Sequence, residues 1–283
     1  MLPFASALFM YSHSMLTDLA LTTTSLPVSA CILVKNESSN LDRCLRHLGN
    51  FAEIIIQDTG STDDSLAICA KYSTTVYQEP WVDFSYNRNQ LFKKATQPWI
   101  LWLDADEVVT DQLVGHIADF IGKSSPSDSG AQINRMVHFE GRWVRHGHWF
   151  PNWNGRLFRA DHWRMPARRV HESIDLTEGR WHKIGGILEH YSFKNWKDFA
   201  DRSEKYARLW AEQRALEGKS ARLSDPCLHA AWAFFQGFIL KKGFLDGLLG
   251  LKLALQIAKD TYFKYFLLIK LFYDRAQTDD HTP

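Results

Sequence analysis

Four short apolar segments lie in the first 103 residues of the chain, and each is followed by polar residues. Short apolar runs of this length, bounded by turn-forming residues, are typical of buried strands. Between the first two segments, Leu41, Cys44 and Leu45 recur with the period of a helix. Alternating strands and helices predict an α/β fold with a doubly wound, mainly parallel sheet, whose ligand binds at the carboxyl ends of the strands. The segments are VSACILV (28–34), EIIIQD (53–58), TTVYQ (74–78) and WILWL (99–103).

The fourth segment runs directly into acidic residues, as ILWLDADEVV (100–109). Asp104 and Asp106 face the same side of an extended segment, because side chains alternate along a strand. Two carboxylates this close repel each other unless a cation lies between them. A hard divalent cation that also takes phosphate oxygens meets this need. The alternative is a strand that ends in solvated acids, but Asp58 at the end of a second buried strand favours a shared ligand site.

Three of these regions together resemble the family 2 glycosyltransferases of GT-A fold. They are VSACILVKNE (28–37), IIIQDTGSTDDS (54–65) and WILWLDADE (99–107), in that order along the chain. The resemblance implies a Rossmann-like GT-A catalytic domain that binds a nucleotide sugar. It implies that the base and ribose are held by Lys35, Asn36, Glu37 and Asp58. It also implies that Asp104 and Asp106 bind Mg²⁺ or Mn²⁺ together with the donor diphosphate.

Four further segments are similar to the branch of lipopolysaccharide core glycosyltransferases that includes heptose glucosyltransferases. They are NWNGRLFR (152–159), VHE (170–172), LEHYS (188–192) and KKGFLDGLLGLKLALQIA (241–258). This resemblance extends over residues 28–275 and implies transfer of a hexose, with UDP-glucose as the first-choice donor, to a lipid-linked glycan of the lipopolysaccharide core. Another surface polysaccharide or lipid carrier is the alternative acceptor.

An inverting transferase needs a carboxylate that takes the proton of the acceptor hydroxyl, and we expect Glu172 in this role. The alternative is that Glu172 only forms an ion pair with Arg168 or Arg169. His171 and His190 are candidates for binding the metal or a phosphate, although each can equally be a structural histidine.

Arg156 and Arg159 flank an apolar pair in NWNGRLFR. A guanidinium group binds phosphate in a bidentate manner. The two arginines are therefore candidates for contacting a phosphate of the donor or of a phosphorylated acceptor, with surface ion pairs as the alternative.

The changes in pattern along the chain predict its domain organisation. Residues 1–26 match no clear pattern, and residues 27–192 form the catalytic domain. Within that domain, 27–110 is the nucleotide-binding half, and 130–192, rich in Trp, His and Arg, is the acceptor half, built of antiparallel strands and loops. Residues 193–275 form a C-terminal helical extension, and 276–283 form a frayed tail.

Composition limits the partners and the location of the protein. With 33 Lys and Arg against 32 Asp and Glu, the net charge of +1 argues against nucleic acid as a partner. The four cysteines have no C-x-x-C spacing, which indicates reduced thiols in the cytoplasm. The first residues lack a basic region and a cleavage motif, so we expect no signal peptide.

The most apolar part of the chain, Phe234 to Phe272, is interrupted by lysines and does not reach the ~18 uninterrupted apolar residues of a spanning helix. Lysines interleaved with aromatic residues favour peripheral attachment to the anionic inner face of the cytoplasmic membrane. Burial of these helices against the catalytic domain is the alternative.

Two rival functions fit parts of the sequence. LDADEVV also matches the start of haloacid-dehalogenase-type phosphatases, in which the first Asp is a nucleophile and the second a general acid. That fold begins with this strand and needs later acids for Mg²⁺, yet here the only later Asp-Asp pair, Asp279-Asp280, is in the tail. A non-catalytic membrane scaffold on a decayed transferase domain would lose acids among Asp58, Asp104 and Asp106, and all three are present.

Overall fold

The structure is a computed structural model that describes residues 25–166 and 173–279 of the 283-residue chain. Its first part alternates strands with helices. The first and last residues of each of the four expected strands differ by at most two positions from those of an observed strand. The elements of this part are β1 (Leu26–Val34), α1 (Ser38–Leu45), β2 (Phe51–Asp58), α2 (Ser65–Cys69), β3 (Thr75–Gln78), α3 (Phe84–Phe92), β4 (Trp99–Asp104), β5 (Glu107–Val109) and α4 (Asp111–Lys123).

The second part contains further strands and then three helices. Its elements are β6 (Asp128–Phe139), β7 (Arg142–Trp143), β8 (Trp153–Arg159), β9 (Trp163–Arg164), β10 (Asp175–Leu176), β11 (Arg180–His190), α5 (Trp196–Leu216), α6 (Asp225–Phe235) and α7 (Gly247–Asp279). Between α6 and α7 the chain forms a π turn at Gln236–Leu240 and a 3₁₀ turn at Gly243–Asp246.

One sheet organises the molecule, with its strands in the order β3, β2, β1, β4, β8, β6, β11 and β5, and with β7 paired to β6. The predicted α/β class with a C-terminal helical extension is confirmed. The strands from β3 to β4 are parallel, as expected. The other half is mixed, because β8 runs antiparallel to both of its neighbours and β11 runs parallel to β6. The acceptor half is therefore not simply antiparallel.

Side chains that alternate along β1 fill two apolar layers, one on each face of the sheet. Ala30 and Ile32 pack in the layer that contains Leu41 of α1. Cys31 packs on the other face with Phe92 of α3. Because successive side chains of the strand point to opposite faces of the sheet, each face packs against helices. Free cysteines at 31, 44 and 69 are buried in these layers, and Cys227 is exposed.

The strand register brings several acids to one edge of the sheet. Val34, at the end of β1, lies opposite Asp58 of β2, and Leu33 lies opposite Asp104 of β4. His190, at the end of β11, lies opposite Glu107 of β5. The carboxyl ends of the parallel strands and the end of β11 therefore meet at the same edge.

The helices α5 and α7 pack on the end of β6. An apolar cluster joins Val137 and Phe139 of β6 to Phe199 of α5 and to Leu249 and Leu253 of α7. Over residues 25–166 and 173–279, no helix is long and apolar enough to cross a membrane.

A glycine pair interrupts the ladder between β11 and β6. The register shifts between Lys183 and Ile187, and Gly186 has a φ of +83°. A Cβ atom on Gly186 would lie 2.7 Å from the Cα of Leu113 in α4. Only glycine lets α4 approach β11 this closely.

Replacing Gly186 with Ala should lower the free energy of unfolding by about 1–3 kcal/mol, because the side chain meets backbone atoms at a positive φ. Urea unfolding followed by tryptophan fluorescence measures this. Gly122→Ala in α4 is the matched control, since a Cβ there meets nothing within 4 Å, and it should be neutral or stabilising. Wild-type stability in Gly186→Ala would contradict the close packing of α4 on β11.

Candidate active site

A cleft of about 480 Å³ opens at the carboxyl edge of the sheet. It lies between the end of β1, the loop that contains Asp104 and Asp106, and the end of β11. The charged residues that line it are Lys35, Glu37, Arg88, Asp104, Asp106, Arg135 and His190. Five of the eleven predicted site residues thus line one cleft, although they are distributed over the chain from residue 35 to residue 190.

The loops after β1 and β2 are bound to each other. The side-chain oxygen of Asn36 accepts a hydrogen bond from the backbone N–H of Thr62 at 2.8 Å. The backbone N–H of Asn36 donates to Ser61 Oγ at 2.9 Å. Asn36 has a φ of +56°, a conformation that asparagine tolerates better than most residues. Asp58, which is buried, accepts from the N–H groups of Gly60 and Ser61 at 3.1 and 3.2 Å. Asn36 and Asp58 therefore shape the wall of the cleft.

Glu37 contributes a carboxylate to the same wall. Burial raises the pKa of this carboxyl above its ordinary value, although Asn40 Nδ2 donates a hydrogen bond to it at 3.0 Å and opposes the shift. Asp106 adds to the rise in pKa because its negative charge lies nearby. Lys35 lines the cleft beside it. Both residues can reach a ligand between β1 and β2.

Two arginines hold the carboxylate of Asp104. Arg88 Nη2 donates to Oδ1 at 2.9 Å, and Arg156 Nη2 donates to Oδ2 at 2.9 Å. Burial opposes ionisation of Asp104, but the guanidinium groups of Arg156 and Arg88 outweigh it and hold the pKa of this carboxyl well below its usual range. The two guanidinium groups therefore favour the ionised form of Asp104.

Glu107, the first residue of β5, is fully buried and connects the acidic segment to two other strands of the sheet, β8 and β6. Its Oε1 accepts from Arg156 Nη2 of β8 at 2.6 Å and from Arg135 Nη1 of β6 at 3.2 Å. Its Oε2 accepts from the backbone N–H of Asp104 at 2.9 Å. The third acid of the DADE segment thus fixes the backbone from which Asp104 and Asp106 project. The sequence pattern alone does not predict this role for Glu107.

Trp102 supports the same two arginines. The guanidinium carbons of Arg88 and Arg156 lie 4.5 and 4.4 Å from the centroid of its ring. Such contacts stabilise a buried cation. Arg88 on α3 and Arg135 on β6 are site residues that the sequence analysis missed, because no motif surrounds either of them.

Asp106 and His190 form the other charged group of the cleft. Asp106 Oδ2 lies 3.3 Å from His190 Nε2, and the N–H of Tyr191 donates to the carbonyl of Asp106 at 2.9 Å. A carboxylate oxygen and an imidazole nitrogen that face one cleft fit a divalent cation whose other positions are filled by phosphate and water. Among the described residues, no three His, Cys, Asp or Glu side chains form a complete metal site. The arrangement therefore suits a cation that arrives with an anionic ligand.

A family model with the description "Glycosyl transferase family 2" matches residues 29–178, just over half of the chain. The chain belongs to glycosyl transferase family 2. It is 26% identical over 255 residues to the lipopolysaccharide core biosynthesis glycosyltransferase LpsC of Rhizobium meliloti, a match that covers 86% of this chain and 94% of LpsC. It is 24% identical to the uncharacterized glycosyltransferase RP128 of Rickettsia prowazekii, over 78% of this chain and 79% of that protein.

Among solved structures, the mannosyltransferase PcManGT of Pyrobaculum calidifontis, in complex with GDP-Man and Mn²⁺, is 12% identical, with a TM-score of 0.49 and coverage of 91% of this chain and 90% of that one. The resemblance to family 2 glycosyltransferases and the prediction of a nucleotide-sugar glycosyltransferase are confirmed. The phosphatase and the non-catalytic scaffold therefore no longer compete as functions.

The structure separates the two arginines that the sequence treats as a pair. Arg156 is 3% exposed and binds two acids at the edge of the cleft. Arg159 lies beside Trp99, at the opposite end of β4 from Asp104, and donates to the backbone carbonyls of Asp128 and Ser125. Because β8 runs antiparallel to β4, the chain moves away from the cleft between Arg156 and Arg159. Arg159 is thus not brought to the site of this glycosyltransferase.

His171 and Glu172 lie outside the described residues, as do Arg168 and Arg169. The described residues on either side of them pack in the apolar layer on the α3 face of the sheet. The carbonyl of Met165 accepts a hydrogen bond from Asn89 of α3 at 3.2 Å, and Ile174 belongs to the apolar cluster that contains Trp102.

We expect Arg156→Met to lower the free energy of unfolding by about 3–5 kcal/mol, because it leaves the buried Glu107 carboxylate with one fewer cation. In the double variant Arg156→Met/Glu107→Gln, the decrease in the free energy of unfolding should be clearly smaller than the sum of the decreases in the two single variants, because both charges of the pair are then removed together. Urea unfolding of the wild type and the three variants gives the coupling energy. Additive losses would show that the pair does not act as a unit.

Proposed function

We propose that this chain is a metal-dependent, inverting glycosyltransferase that moves a hexose from a UDP-sugar to a lipid-linked glycan of the lipopolysaccharide core. The observation that carries the proposal is the pair formed by Asp106 and His190 in a cleft that the end of β1 also lines. Similarity to LpsC along 94% of its length supports the pathway. UDP-glucose is the first-choice donor, by resemblance to the heptose glucosyltransferase branch.

Asp106 and His190 would hold Mg²⁺ or Mn²⁺, with Asp104 as a further contact to the cation or the donor. When bound, the cation neutralises the charge that develops on the leaving diphosphate. The negative charge of Asp104 is already balanced by Arg88 and Arg156. Within the described part of the chain, the ion pair of Asp106 is with His190 and not with an arginine. Asp106 is therefore the acid better placed to attract a metal.

The nucleotide would lie between the ends of β1 and β2. Lys35 and Glu37 line the cleft there and are proposed to contact the base and ribose. Asn36 and Asp58 belong to the same proposal, and their hydrogen bonds to the loop at 60–62 support a role in shaping this subsite. A preformed wall lowers the ordering cost of binding the donor.

Glu172 is proposed as the general base. The acceptor hydroxyl oxygen forms a bond to the anomeric carbon, the bond from that carbon to the diphosphate oxygen breaks, and the hydroxyl proton passes to the carboxylate of Glu172. The products are the extended glycan and UDP. Ile174, two residues later in the sequence, packs in the cluster with Trp102, whose ring contacts Arg88 and Arg156.

The acceptor would be a lipid whose glycan head extends from the inner face of the cytoplasmic membrane. His171 is proposed, with Arg156 as a weaker candidate, to contact a phosphate on the donor or acceptor, and Arg159 is no longer proposed for this role because it lies at the other end of β4. The buried position of Arg156 and the distance of Arg159 from Asp104 along β4 leave His171 as the better candidate. A glycan of another surface polysaccharide or lipid carrier is the alternative acceptor.

UDP should bind only in the presence of Mn²⁺ or Mg²⁺, because the diphosphate and the protein share the cation. Isothermal titration calorimetry with and without EDTA tests this. Asp106→Ala should abolish metal-dependent binding, whereas Asp119→Ala, which removes an exposed carboxylate on α4, should bind as the wild type does. Equal binding of UDP in EDTA would contradict the metal role.

Glu172→Gln should keep UDP binding but lower the rate of transfer by about 10²-fold or more, because the amide has nearly the same shape and cannot accept the proton. The matched control is Glu178→Gln at a carboxylate that is 75% exposed. Transfer is measured as UDP released from UDP-glucose in the presence of acceptor lipid. A wild-type rate in Glu172→Gln would move the base to Asp161 or Asp175.

A further inference from the structure

The chain between α6 and α7 turns with its smallest residues inside and its largest apolar residues outside. The buried residues of α6, the π turn and the 3₁₀ turn are Pro226, Gly237 and Gly243. We call the exposed apolar set the apolar corner, and it consists of Leu228, Trp232, Phe235, Ile239, Leu240, Phe244, Leu245 and Leu248, each at least 43% exposed. This distribution is the reverse of that in an ordinary helical hairpin.

Close approach of the backbone explains why the interior of the corner holds glycines. A Cβ atom on Gly243 would lie 2.7 Å from the carbonyl oxygen of Gly237, and one on Gly250 would meet the carbonyl of Gly243. With the backbones in contact, no space is left between these segments for Trp, Phe or Leu. The large side chains therefore project away from the protein.

The large exposed apolar residues of α6 continue into the π turn as one stripe. Leu228, Trp232, Phe235 and Ile239 are spaced at i, i+4, i+7 and i+11, which is one face of a helix. On another face of α6, the ring of His229 stacks on Tyr265 of α7 at a centroid distance of 4.1 Å. The packing of α6 on α7 thus leaves the stripe in solvent. Contiguous apolar surface of this kind marks a site of contact with a partner.

The charges around the corner select the chemistry of that partner. Lys241 and Lys242 are exposed at its centre, and Lys252 is exposed one helical turn beyond Leu248. The acid of the 3₁₀ turn, Asp246, is bound by His146 Nδ1 at 2.7 Å and by the N–H of Arg145 at 3.0 Å. Apolar side chains flanked by lysines complement an anionic lipid surface, where the ring and alkyl groups enter the headgroup region and the ammonium groups meet phosphate.

A short series of contacts links the corner to the cleft. Asp246 binds the backbone just after β7, and Trp143 of β7 lies opposite His138 near the end of β6. The ring of Trp143 lies 5.7 Å from that of Tyr191, whose N–H donates to the carbonyl of Asp106. A bilayer that holds the corner is therefore close to the edge of the sheet at which the cleft opens.

We infer that the apolar corner is the surface by which this glycosyltransferase inserts into an anionic bilayer. This inference deepens the proposed function, because it names the surface that contacts the membrane. It rests on the proposed function only for the claim that the acceptor is a lipid. Trp232 and Phe235, whose rings are 6.0 Å apart, enter the interface first, and Lys241 and Lys242 hold the headgroups. The contact is reversible, and it weakens as salt screens the lysines.

The test is co-sedimentation of the full chain with vesicles of phosphatidylcholine, with or without phosphatidylglycerol. The wild type should bind the anionic vesicles at low salt and not the neutral ones. Trp232→Ser/Phe235→Ser should weaken binding by about ten-fold or more, because the inserted apolar area is lost. The matched control, Tyr206→Ser/Leu209→Ser, removes two exposed apolar side chains from α5 and should bind as the wild type does.

A second pair of variants tests the charge. Lys241→Glu/Lys242→Glu should abolish binding to anionic vesicles, whereas Lys71→Glu/Lys93→Glu, which makes the same change of net charge at exposed sites elsewhere, should keep most of it. All variants should titrate with UDP and Mn²⁺ as the wild type does. The inference is overturned if the wild type ignores anionic vesicles, or if the control variants lose as much binding as the corner variants.

Sedimentation velocity separates this surface from an interface between two copies of the chain. A wild-type dimer that the Trp232→Ser/Phe235→Ser variant dissociates, without any binding to vesicles, would assign the corner to self-association and overturn the inference. If the protein binds vesicles but does not bind UDP, the membrane contact is supported and the proposed function is contradicted.

Discussion

The buried ion pair between Arg156 and Glu107 is the interaction on which the rest of the site depends. It joins β8 to the start of β5, and Glu107 extends it to Arg135 of β6 and to the backbone of Asp104. A buried pair adds little net stability compared with apolar residues of the same size, but leaving one partner alone is costly. Its effect is therefore to define one position for the loop, and the acids on that loop face the cleft in a fixed geometry.

From this arrangement follows a division of roles between the two aspartates. Arg88 and Arg156 form ion pairs with Asp104, so its negative charge is largely balanced within the protein. Asp106 instead faces His190, whose imidazole nitrogen can share a metal with a carboxylate. The sequence pattern treats the two acids as equivalent ligands, whereas their surroundings make Asp106 and His190 the more suitable pair for the cation.

The sequence predicts the parallel half of the fold well, because β1, β2 and β4 are continuous apolar runs that end in polar residues. The mixed half is harder to predict, since β6 and β11 interleave polar and aromatic residues and pair in parallel across a long connection. The same limit applies to the site. Asp104, Asp106 and Glu107 belong to a local motif, but Arg88 reaches Asp104 and Arg135 reaches Glu107 only through tertiary packing. Arg159 is kept away from these acids by the direction of β8.

The central claim is that Asp106 and His190 hold a divalent cation together with the diphosphate of the donor. Electron spin-echo envelope modulation of Mn²⁺ bound in the presence of UDP tests it most directly, because the spectrum reports nitrogen coordinated to the metal. The account predicts coupling to one imidazole nitrogen, which disappears in His190→Phe while other histidine variants, such as His116→Phe, retain it. Bound Mn²⁺ without nitrogen coupling, or coupling that survives in His190→Phe, would contradict it.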